Sequence, residues 1–234
     1  MPITTSNLIR LAGLSALVAG ICYLLVGVFH PLNIPASVTT PQWVIVHILA
    51  MAMSFFGLIG MAGLYARQAE KSGWLGLAGY LVFSLWLALI LGFTFVEVFI
   101  LPVLATVAPT FVAGWLGMFT GTASEIDLGA LPIVWTISGP IYILGGLLFG
   151  IATFRARILS RWAAGLLAVG SVLSPMAVLL PGLFVIPIVV PMHFLHHPKI
   201  DFPGAESTAW ASPKQQPSRG TAVYNPPSRS TALH

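Results

Sequence analysis

Residues 41–66 read PQWVIVHILAMAMSFFGLIGMAGLYA, residues 67–73 read RQAEKSG, and residues 74–101 read WLGLAGYLVFSLWLALILGFTFVEVFIL. Two long apolar runs thus flank a short polar turn. A bilayer core is crossed by about 20 apolar residues at a helical rise of about 1.5 Å each, and both runs exceed that length. The pattern predicts a transmembrane helical hairpin. Its arms carry two ionisable residues, His47 near the start of the first and Glu97 near the end of the second. Counted from the turn, the two differ in depth by roughly 6 Å, a gap that side-chain reach and helix tilt can close. An ionisable group in hydrocarbon is costly, so His47 and Glu97 are the first candidates for a ligand or proton site.

Composition extends this reading to the whole chain. Of 234 residues, 57% are hydrophobic and 7% charged, whereas soluble domains carry about 25% charged residues. The net charge of +4 comes without a basic stripe interleaved with aromatics, so nucleic acid is not an expected partner. The expected partner is the lipid bilayer. Cys22 is the single cysteine, which excludes an intramolecular disulfide and any CxxC metal or redox motif.

Arg10 precedes LAGLSALVAGICYLLVGVF, residues 11–29. The layout has features of a signal peptide, but the apolar run is longer than a usual h-region and no A-x-A site follows. We read it as a retained first helix. Gly13, Gly20 and Gly27 recur at heptad spacing, and Ala12, Ala16 and Gly20 at every fourth residue. Such small-residue stripes serve packing within a bundle or association of copies into a homo-oligomer. HPLNIPASVTT, residues 30–40, is a proline-rich loop, and Thr40-Pro41 is a helix start. Pro102 is expected to end the third helix, and residues 108–119 (APTFVAGWLGMF) to form a short external interfacial helix. A fourth span is expected at about 131–154 and a fifth from 162 to about 180. Residues 1–197 are thus read as an all-α transmembrane bundle of five spanning helices plus that short helix. From Pro198 the Pro/Ser-rich composition predicts a disordered tail, residues 198–234.

Basic residues set the orientation. Arg10, Arg67, Lys71, Arg155, Arg157 and Arg161 share one side of a five-helix bundle, while the loops on the other side hold no Lys or Arg. The expected localisation is the cell membrane, with a cytoplasmic N-terminus and an external tail. The tail's own Lys199 stands against that assignment. An internal echo also occurs: Arg67 precedes Trp74, and Arg155 precedes Trp162, by the same offset. Both residue types favour interfaces, so shared turn chemistry is the simpler reading than a duplication.

In this orientation His30, His47, Glu97, His193, His196 and His197 all belong to the outer half of the membrane. Imidazole and carboxylate can bind zinc, copper or iron, so a metal-dependent membrane enzyme using His30, His47, Glu97, His193 and His197 is the alternative function. Pro191 and Pro198 bracket the last two, and no HExxH signature occurs. A lysine for a Schiff base is missing from spans three to five, and phosphate loops and GxSxG elbows are absent. No cofactor is expected. The favoured expectation is a non-enzymatic protein that binds a small apolar molecule or lipid, or serves as a packing subunit, with its polar site at His47 and Glu97.

The stretches SVTTPQWVIVHILAMAMSFFGLIGMAGLYARQAEK (37–71) and GPIYILGGLLFGIATFRA (139–156) resemble small uncharacterised bacterial multi-pass membrane proteins. The resemblance covers about residues 8–180 and lies in helix-and-turn style. It implies an integral membrane protein and assigns no functional residue.

Overall fold

The computed structural model describes residues 4–179. Helices there begin where a hydroxyl or a proline satisfies the first turn. The Thr4 hydroxyl accepts the Asn7 N–H at 3.3 Å and opens α1, Thr5–Phe29. A single turn, α2, follows at Pro35–Val38. Thr40 accepts the Trp43 N–H at 3.2 Å and donates to the Ser37 carbonyl at 2.7 Å. With Pro41 in the first turn, this opens α3, Pro41–Phe99. Such caps satisfy N–H groups that a helix start leaves unbonded. Next come α4 (Leu101–Val107), α5 (Pro109–Thr120), α6 (Leu131–Ala156) and α7 (Arg161–Leu179). All regular structure among the described residues is helical.

The 59 residues of α3 fold back on themselves at Gly73, whose φ of 57° and ψ of −153° interrupt the helix. Only glycine reaches this region readily, because it has no Cβ. The arms, residues 41–72 and 74–99, run antiparallel. Gly57 faces Leu87, and Tyr65 stacks on Tyr80 with ring centroids 5.0 Å apart. RQAEKSG therefore remains helical up to Ser72 rather than forming a separate turn. Pro102 also differs from expectation. The helix breaks just before it, and Pro102 sits in the first turn of α4, where its missing N–H costs nothing. The short helix expected at 108–119 is α5.

The hairpin is the hub of the bundle. Antiparallel to its first arm lies α1, at a separation that small residues set. A methyl on Gly60 would lie 2.8 Å from the Ala16 backbone, and Gly63 faces Ala12. The Gln42 amide donates to the Phe29 carbonyl at 3.0 Å and ties the end of α1 to the start of α3. Helix α6 lies antiparallel to the second arm, so close that a side chain on Gly79 would run into the Phe149 backbone. Trp86 meets Tyr142 at 4.5 Å between ring centroids, and Phe93 meets Trp135 at 5.5 Å. Helix α7 packs on α6 through Gly146 against Ser171 and Gly150 against Ala168. Ala12 and Ala16 of the small-residue stripe are thus used inside the bundle, while Gly13, Gly20 and Gly27 look away from the chain.

Among the described residues three helices are long and apolar enough to cross a membrane: Ser6–Phe29, Pro41–Phe99 and Leu131–Ala156. Helix α7 is also apolar over Arg161–Leu173. Their outward faces are studded with exposed Leu14, Ile45, Phe55, Leu85 and Ile133. A continuous apolar exterior of this kind suits a lipid bilayer and not water. The antiparallel pairings bring Arg10, Arg67, Lys71, Arg155, Arg157 and Arg161 to one end of the bundle. These are all the Lys and Arg among the described residues. The predicted tail and the run 180–197 lie outside the described residues.

Candidate functional site

The end of the bundle opposite the basic residues holds the sequence-predicted pair. His47 lies less than two turns into α3 and Glu97 in its last turn, so hairpin closure brings them together. His47 Nε2 is 3.5 Å from Glu97 Oε2, and both side chains are buried. The depth mismatch counted from the sequence is closed. Thr94, one turn before Glu97, donates to the Ile90 and Leu91 carbonyls of its own helix.

The other ring nitrogen of His47 fixes the protonation pattern. Nδ1 is 2.7 Å from the Trp43 carbonyl, one turn earlier. A carbonyl only accepts, so Nδ1 carries a hydrogen. In a neutral ring Nε2 is then a bare acceptor facing a carboxyl oxygen. An ionised Glu97 beside a neutral His47 would set lone pair against lone pair in a buried site. Two arrangements avoid this: a protonated acid donating to Nε2, or an imidazolium beside a carboxylate. Each places one proton between Nε2 and Oε2 and leaves the pair with no net charge, which matters where an unpaired charge is so expensive.

Two tryptophans enclose the pair. The Trp43 indole, fully buried, stacks on the His47 ring at 4.0 Å and donates its N–H to the Glu97 main-chain carbonyl at 2.8 Å. The Trp115 indole comes from α5, beside Glu97, and its buried N–H completes no well-formed hydrogen bond. Phe93, Trp115 and Trp43 belong to one apolar core with Val38, Leu101 and Val112. Sequence reasoning missed both indoles. Trp43 was detectable, since residues at i and i+4 share a helix face. Trp115 was not, because only the fold brings α5 there.

His30 stands at the rim. Its ring lies edge-on to His47 with centroids 5.1 Å apart, and its Nδ1 is 2.7 Å from the Pro31 carbonyl. Although His30 is more exposed than His47, the protein crowded around it lowers its proton affinity below that of a free imidazole. The contact to Pro31 opposes this. His30, His47 and Glu97 thus come into one region, while His193 and His197 lie outside the described residues. Among the described residues no group of three or more His, Cys, Asp or Glu side chains is arranged to hold a metal ion.

At the basic end lies a second buried polar contact that the sequence did not announce. Gln68, in the segment read as a surface turn, is buried, and its amide donates to the Thr153 hydroxyl of α6 at 2.7 Å. It joins the hairpin to α6 without any ionisable group.

No protein-family model, curated protein or solved structure matches the chain.

Proposed function

We propose that the chain is a non-enzymatic, multi-pass protein of the cell membrane that binds an amphipathic lipid on the α3 hairpin, beside the one-proton site His47–Glu97. In this reading α1, the two arms of α3, α6 and α7 are five spans. The basic end is cytoplasmic, His47 and Glu97 lie in the outer half, and residues 198–234 are external. The observation that carries the proposal is a groove of about 600 Å³ between the arms, lined by Ile48, Met51, Phe55, Leu91, Phe95 and Phe99. That volume lies within the usual range for small-molecule sites. The lining is almost wholly apolar, as an alkyl chain requires. Ile48 and Phe95 are close sequence neighbours of His47 and Glu97, so the groove and the polar pair occupy the same depth.

Native mass spectrometry of the detergent-purified chain tests this reading. A co-purified lipid adduct should be present and should diminish in Ala52→Trp, which puts an indole into the groove from a further lining position. An adduct unchanged in that variant, or no adduct at all, would reduce the pair to a packing element.

A further inference from the structure

A second groove lies at the opposite end of the bundle, where α6 hands over to α7. It has a volume of about 590 Å³ and is lined by Phe154, Arg161, Trp162, Gly165, Leu166 and Val169. We propose that this groove is a binding site for one anionic phospholipid, with the phosphate on Arg161 and an acyl chain along Gly165, Leu166 and Val169. The inference is independent of the lipid proposed on the α3 hairpin and requires only that the chain lie in a bilayer.

Charge and shape point to that occupant together. The guanidinium of Arg161 sits 4.2 Å above the Phe154 ring. Stacking uses the flat face of a guanidinium and leaves its in-plane N–H donors free, the geometry that grips phosphate oxygens in pairs. Arg155 and Arg157 are exposed at the end of α6, where the chain turns into α7, and add positive charge to this end of the bundle. Among the described residues the only ion pair is His47–Glu97, so none of these three arginines is paired with an acid. Away from the arginine the groove turns apolar. Leu166 and Val169 are exposed, and Gly165 has nothing within 4 Å of where a Cβ would stand, so space for a chain is open. Trp162 is 86% exposed beside the arginine, and Trp74, at the same end, is 85% exposed. Free indoles at this level mark the headgroup boundary. Basic pockets between spanning helices are where anionic headgroups are held. A soluble phosphate would satisfy Arg161 but would leave the apolar length of the groove unused, and a zwitterionic lipid would not offset the arginine cluster.

The test uses the full chain, delipidated in neutral detergent and offered equal amounts of phosphatidylglycerol and phosphatidylcholine of the same chain length. Native mass spectrometry should show preferential retention of phosphatidylglycerol. Arg161→Gln should reduce that preference several-fold, and Arg161→Lys should reduce it less. Gly165→Leu, which fills the groove without altering charge, should abolish the preference too. Leu166→Gln, a second groove variant at an exposed position, should lower the preference as well. Glycerol phosphate, the headgroup without chains, should neither bind nor raise the unfolding temperature. Unchanged preference in Arg161→Gln, or in both groove variants, would overturn the site, as would equal retention of the two lipids by the unaltered chain.

Discussion

Trp43 and Glu97 clasp the two ends of the α3 hairpin: the indole N–H of the first donates to the main-chain carbonyl of the second at 2.8 Å. Carbonyls in the last turn of a helix have no partner within that helix. A side chain from the first turn of the same element supplies one here, in a buried position. Trp43→Phe keeps the ring but removes the donor. The expected loss is about 1–3 kcal/mol of stability, the cost of a buried acceptor left unbonded. Unfolding in detergent should register it, and a variant as stable as the parent would show the clasp to be incidental.

The His47–Glu97 pair calls for a double-mutant cycle. His47→Ala and Glu97→Ala should each cost about 1–3 kcal/mol, because each strands a buried partner. The double variant should cost less than the sum of the two. Glu97→Gln should be milder than Glu97→Ala, since an amide N–H replaces the shared proton at Nε2. Additive losses would mean that the 3.5 Å approach carries no coupling.

Glycines separate into two groups by what surrounds them. Gly79→Ala would press a methyl into the Phe149 backbone and should cost about 1–3 kcal/mol by overpacking. Gly73→Ala should cost a similar amount, about 1–3 kcal/mol, through its backbone conformation alone. Gly92 has open space around it, so Gly92→Ala should be neutral or gain up to about 1 kcal/mol from helix propensity. The ranking of unfolding midpoints is the measurement. Gly92→Ala as harmful as Gly79→Ala would contradict the packing described.

Orientation is open to a labelling experiment in a Cys22→Ala background. Thr39, Lys71 and Ser160 are exposed positions at the two ends of the bundle. With cysteine at each in turn, an impermeant thiol reagent applied to intact cells should label position 39 alone. Labelling at 71 or 160 would invert the proposed topology.

The hairpin and its buried pair were legible because both rest on simple counts. Two runs exceed a bilayer thickness, and one polar turn forces them antiparallel. His47 and Glu97 stand out because ionisable residues are so rare in apolar runs. The details that escaped depend on three-dimensional context. RQAEKSG is polar enough to read as a loop, yet Gln68 within it is buried against Thr153 and only Gly73 breaks the helix. Helix α2, a single turn of PASV, has no periodicity to detect. Helix α4 was hidden by Pro102, which stops one helix and opens another with equal facility. Trp115 reaches Glu97 through tertiary packing, and nothing in its own neighbourhood of sequence marks it.

The hub arrangement of the hairpin also bears on biogenesis. Each long helix packs mainly against the long helix that precedes or follows it along the chain: α1 with the first arm of α3, the second arm with α6, and α6 with α7. During synthesis, each long helix after α1 that leaves the translocation machinery therefore meets a partner already resident in the bilayer. The small-residue faces at Gly60, Gly63 and Gly79 are covered in order as their partner helices arrive. A nascent chain stalled once α6 has emerged should already resist protease through α1 and both arms of α3. Protection that appears only on release of the finished chain would argue instead for a late, concerted assembly.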